Sequence, residues 1–151
     1  MSTEYPHPGY PAVAAEAGDA KRTRNGRTGI GIGLLVAGAL DVVGMVWLYS
    51  QYGSLIDALS ESERGEVVVG DALNVLFILA LLGSGIWNIA ARRSRSLAPP
   101  IAALALSGVG LAFAVMNVLE ALNTTGTTPG LFVLFLNLGI LVQAVGLIRG
   151  R

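Results

Sequence analysis

The sequence has no cysteine, a single histidine and few charges. Without cysteine there are no disulfides, no thiolate zinc sites, no iron–sulfur cluster and no thiol nucleophile. The one histidine, His7, stands apart from every apolar run, so histidine-based catalysis or metal binding within those runs is excluded. Charged residues make up 13% of the chain, against ~25% in a typical soluble domain. Ten Lys+Arg balance ten Asp+Glu, for a formal net charge of zero. Such a chain suits neither a watery surface nor nucleic acid, which calls for an excess of positive charge.

What is present is apolar. Hydrophobic residues account for 53% of 151 positions, and the mean hydropathy is +0.64. They gather in four runs, at about 29–49, 67–91, 97–122 and 130–148. Each reaches the ~20 residues a helix needs to cross a bilayer. Four such helices in one short chain cannot all be hidden in a soluble core. The alternating polar positions of a transmembrane strand are missing. The expected fold is therefore all-α, with four transmembrane helices in a compact bundle forming one domain over 29–151. Residues 1–28 contain Pro6, Pro8 and Pro11 and no long apolar run. They are expected to form a disordered cytoplasmic tail, because too little burial offsets the ordering entropy.

Local chemistry marks the boundaries. Ser96 followed by Pro99 and Pro100 predicts the start of the third helix, since proline is tolerated in a first turn. Thr128-Pro129 predicts the start of the fourth.

Charge sets the expected orientation. Lys21, Arg22, Arg24 and Arg27 precede the first run, Arg92, Arg93 and Arg95 separate the second and third, and Arg149 and Arg151 end the chain. Only Arg64 falls in the loop expected at about 50–66, beside Asp57, Glu61, Glu63 and Glu66. The positive-inside rule then places both termini in the cytoplasm, in a multi-pass protein of the cytoplasmic (inner) membrane. The same basic residues lie where they set topology and attract anionic lipid headgroups.

Each run carries a stripe of small or polar residues, the currency of helix packing in lipid. The first has Gly29, Gly33 and Ala37, the second Gly85, the third Ser107, Gly110 and Ala114, and the fourth Gly139 and Gly146. Asp41 continues the first stripe about twelve residues into its run, ~18 Å from the inner end. A charge there costs ~2.5–3.5 kcal/mol on the lenient insertion scale. It is read as an intramembrane proton or cation site, or as a carboxyl that fixes packing. Asp71 with Asn74, and Asn117 with Glu120, fall near the outer ends of neighbouring runs, where they would form a polar vestibule.

No catalytic set emerges. Gly70-Asp71 lacks the earlier glycine of a Gly-x-Gly-Asp protease motif, Val68 standing there, and Gly29–Gly33 lacks the strand a dinucleotide fingerprint requires. No cofactor or metal is expected. In composition alone, a Tyr- and Pro-containing tail before four Ala/Gly/Val/Leu-rich spans resembles small membrane proteins of high-GC actinobacteria and their phages. The leading expectation is a non-enzymatic protein whose partners are lipids and either itself or another membrane protein, acting as a homo-oligomer or accessory subunit. The alternatives are a proton- or cation-conducting or holin-like permeabilising protein, and a phage or prophage exclusion factor.

Overall fold

Apolar runs bounded by proline, glycine and charge become four helices. A computed structural model describes residues 10–125 and 130–150, with side chains from Gly18 onward except that of Thr125. Helix α1 covers Tyr10–Asp57, α2 Glu61–Ala90, α3 Ala98–Thr125 and α4 Leu131–Arg149. A short 3-10 turn, Ala91–Arg93, closes α2. All four helices are long and apolar enough to cross a membrane.

Two boundaries differ from expectation. Residues 10–28, expected to be disordered, are the first part of α1. No further proline follows Pro11 within α1, and Pro11 itself sits in the first turn, where it is tolerated. The wide loop expected at about 50–66 shrinks to Ala58–Ser60, because α1 runs on to Asp57 and α2 begins at Glu61. A capping box starts α2. Ser60 Oγ accepts from the Glu63 N–H at 3.5 Å, and Glu63 Oε2 accepts from the Ser60 N–H at 3.0 Å. The Ser60 hydroxyl, and after it the Ser60 backbone N–H, hold the Glu63 carboxyl below its ordinary range. The support from this ionised carboxylate is therefore present at neutral pH and fades as pH falls through that lowered value. Ser60→Ala is expected to speed amide exchange over 61–64 roughly fivefold, the scale of one lost cap. Unchanged exchange would show that the box contributes nothing.

At α3, Pro99 and Pro100 occupy the first turn as the sequence indicates. Ser96 Oγ accepts from the Ala98 N–H at 3.2 Å. The Thr128-Pro129 signal lies outside the described residues. Gly130 precedes α4 with φ +83°, a left-handed conformation that glycine adopts without strain.

Successive helices run antiparallel, as their contacts show: Gly31 meets Gly85, Asn88 meets Pro99, Gly110 meets Asn137, and Gly33 meets Ile140. The closest pairings are α1 with α2 and α3 with α4, and α1 with α4 joins the two pairs. At the centre lie Ile30, Leu34 and Ala37 of α1, Leu81 of α2, Ala103 of α3, and Ile140 and Ala144 of α4. Phe77 and Phe113 add an edge-to-face contact between α2 and α3, with centroids 6.3 Å apart.

This arrangement sorts charge to opposite ends. Arg24, Arg27, Arg92, Arg93 and Arg149 gather where α1 enters, α2 and α3 connect, and α4 finishes. Asp57, Glu61, Glu63 and Glu66 gather at the α1–α2 turn.

Candidate functional site

Three regions carry polar chemistry: the arginine-rich end, the interior and the acidic end. The arginine-rich end is the most organised. Arg27 is only 1% exposed, although its place in a basic cluster suggests a residue at the membrane surface. Its guanidinium donates to Ala91 O at 2.7 Å and also to Ser96 O. Local backbone chemistry explains the choice. In a helix, Ser96 O would accept from the N–H four residues on, but that residue is Pro100, which has none. Ala91 O, just past the end of α2, already accepts the Ser94 N–H at 2.9 Å and takes the guanidinium on its second lone pair. One planar cation supplies both carbonyls and ties α1 to the α2–α3 connection.

Beside this tie, Arg24, Asn25, Thr28, Gly29 and Ile32 of α1 and Arg92 of the short turn line an open groove of about 530 Å³. Lys21, Arg22, Arg24, Arg92, Arg93 and Arg95 are all exposed. Thr28 Oγ1 donates to Arg24 O at 3.0 Å, which leaves its hydroxyl oxygen as an acceptor only.

The interior holds a chain of buried amides and hydroxyls. Asn88 is fully buried, and its Nδ2 donates to Ser84 O and Pro99 O, each at 3.0 Å, stitching α2 to α3. Ser107 returns its hydroxyl to Ala103 O at 2.7 Å. Asn137 Nδ2 donates to Val133 O at 3.0 Å, and its Oδ1 faces Gly110, where an added Cβ would stand 2.7 Å away. These bonds are mostly to backbone, the usual fate of an amide in an apolar bundle.

The expected packing stripes fall on both sides of the bundle wall. Ala37, Gly85, Ser107, Gly110 and Ala114 are buried. Gly29 is exposed and Gly33 half-buried, yet a Cβ on either would meet Gln143 or Ile140 of α4 within 2.9 Å. Gly139 and Gly146 are exposed and face open space. Within the chain, α4 turns Asn137, Ile140 and Ala144 inward. Gly139 sits ~100° round the helix from Ile140, so it cannot share that face.

Asp41 is half-buried and has no hydrogen-bond partner among the described residues. At the acidic end, Tyr49 donates its hydroxyl to Asp71 Oδ2. Asn74, Asn117 and Glu120 are exposed, and among the described residues no hydrogen bond joins these three side chains to one another or to Asp71. Asp71 is paired with Tyr49 of α1. The buried face of α3 shifts from Ala114 to Val118, leaving Asn117 outside, because a helix of 3.6 residues per turn drifts off a strict heptad. No cluster of three or more His, Asp or Glu able to hold a metal occurs among the described residues.

No protein-family model matches this chain, and neither curated proteins nor solved structures give a significant match.

Sequence reasoning missed Arg27 as a structural tie, and Gly26, Gly31 and Gly38 as contact points. Gly26 would press on Leu147, Gly31 on Gly85 and Ile89, and Gly38 on Leu82. The seven-residue spacing of Gly31 and Gly38 was the available signal for a second glycine face on α1.

Proposed function

We propose that this chain is a non-catalytic, multi-pass protein of the cytoplasmic membrane that acts by assembly, as a homo-oligomer or as an accessory subunit of a membrane complex. Both termini and the Arg92–Arg95 connection face the cytoplasm in this reading, supported by the gathering of arginines at one end of the bundle. The observation that carries assembly is the outer face of α4. Phe132, Phe135, Gly139, Val142 and Gly146 follow one another at steps of three and four residues, and all are exposed. Two large rings beside two open glycines form a ridge-and-notch surface of the kind that brings helices close in lipid. The glycines of α1, by contrast, are largely filled by other helices of the same chain.

The test is stoichiometry in lipid. In nanodiscs or native-lipid particles, single-molecule photobleaching should count more than one copy, or one copy with a partner subunit. Gly139→Leu/Gly146→Leu should return the chain to a lone monomer. Gly70→Leu, at a glycine equally open, should leave the assembly intact. A parent that is monomeric and partnerless in lipid, or a double variant that assembles unchanged, removes the proposal. Cation or proton flux in liposomes carrying the parent but not Asp41→Asn would replace it with conduction.

A further inference from the structure

We infer that the groove between α1 and the α2–α3 connection binds the phosphate of an anionic phospholipid, holding it between Arg24 and Arg92. The inference rests on the membrane reading above and gives the arginine-rich end a specific ligand. Two guanidiniums from different elements border one cavity, and Asn25 adds an amide donor. Both side chains are exposed, and the residues lining the groove include no carboxylate to compete with an anion. Guanidinium forks match phosphate oxygens, and such charge-assisted bonds are the strong ones.

The same groove is not wholly polar. Gly29 leaves its wall low, and Ile32, 52% exposed, carries it onto the apolar flank of α1 toward exposed Val36. A free phosphate has no use for that flank. A lipid does, because its acyl chain must leave the headgroup along hydrocarbon-facing surface. The position of Arg92 is set by the buried tie next door. Arg27 bonds the carbonyl of Ala91, the preceding residue, and so fixes the backbone that carries Arg92 against α1. The backbone beneath Arg92 is thus held against α1, which lowers part of the ordering cost of binding.

The experiment compares lipids retained on the full-length protein by native mass spectrometry after reconstitution in mixed phosphatidylglycerol and phosphatidylcholine. The parent should retain phosphatidylglycerol in preference. Arg24→Gln/Arg92→Gln should lower that retention roughly tenfold, the scale of two lost phosphate contacts. Arg93→Gln/Arg149→Gln removes equal charge from exposed residues outside the groove and should change it less than twofold. Equal losses in the two double variants, or no preference for the anionic lipid in the parent, overturn the inference. Full displacement by millimolar glycerol phosphate also overturns it, assigning the groove to a soluble phosphate instead. A chain that floats free of vesicles in the same preparation refutes the membrane reading itself. An inserted, assembled chain without lipid selectivity refutes only the groove.

Discussion

Arg27→Ala is expected to destabilise the bundle by about 3 kcal/mol, because a charge-assisted hydrogen bond contributes ~1.5–3 kcal/mol and two are lost at once. The loss falls on backbone. Ala91 O and Ser96 O would both lose the guanidinium; Ala91 O retains the Ser94 N–H at 2.9 Å, whereas Pro100 cannot supply an amide to Ser96 O. The cost therefore stays below that of two orphaned carbonyls. Arg27→Lys should recover less than half of it, since an ammonium is a point charge and cannot span two carbonyls as a planar fork does. Arg24→Ala, three residues away and exposed, should lie within ~0.5 kcal/mol of the parent, as surface substitutions do. Reversible unfolding in mixed micelles gives these values. The absence of cysteine allows a single label introduced at Ser94 to report whether the α2–α3 connection loosens first. Parent-like stability in Arg27→Ala would show the tie to be incidental.

Gly31→Ala should cost about 2 kcal/mol, within the ~1–3 kcal/mol of overpacking a filled contact. An added Cβ would stand 2.7 Å from Gly85 O and 2.5 Å from Ile89 Cγ1. The reverse substitution, Gly85→Ala, meets Gly31 O at 2.9 Å. A side chain can rotate away from a methyl group, but a backbone carbonyl cannot without moving its helix. The only relief is to separate α1 from α2, the most extensive pairing in the fold. The two substitutions press on the same crossing, so the double variant should cost less than the sum of the singles. Gly83→Ala is the control, with nothing within 4 Å of the new Cβ. A spin-label pair across α1 and α2 should lengthen in Gly31→Ala and Gly85→Ala but not in Gly83→Ala. Unchanged distances with unchanged stability would mean that the crossing is looser than its geometry.

Helix number and the sorting of charge to opposite ends are legible in the sequence because both follow from composition along the chain. Pro99-Pro100 marks the entry to α3 for a reason that depends on no neighbour: neither residue can donate within a helix. The misses share a different origin. Arg27 is read from sequence as one more cation near water, since burial of a guanidinium needs two acceptors that lie 64 and 69 residues away along the chain. The ladder of Gly29, Gly33 and Ala37 traces the flank of α1 that meets α4, and it hides Gly31 and Gly38, which meet α2. Asp71 finds Tyr49 across a helix pair, whereas spacing along α2 suggests only Asn74. Ser60-x-x-Glu63 signals the turn at Ala58–Ser60, but the acidic residues around it have the composition of a solvated loop.

Helix α1 is one unbroken piece of 48 residues, ~72 Å by helical rise and more than twice the thickness of a hydrocarbon core. Its first turns lie well beyond Arg27, the point at which it is clamped to the connection. The clamp therefore serves as a fulcrum. A tilt of about 10° at Arg27 would sweep the N-terminal end, ~25 Å away, through about 4 Å. A small change in how the helices lean on one another is mechanically geared into a larger displacement at the tip.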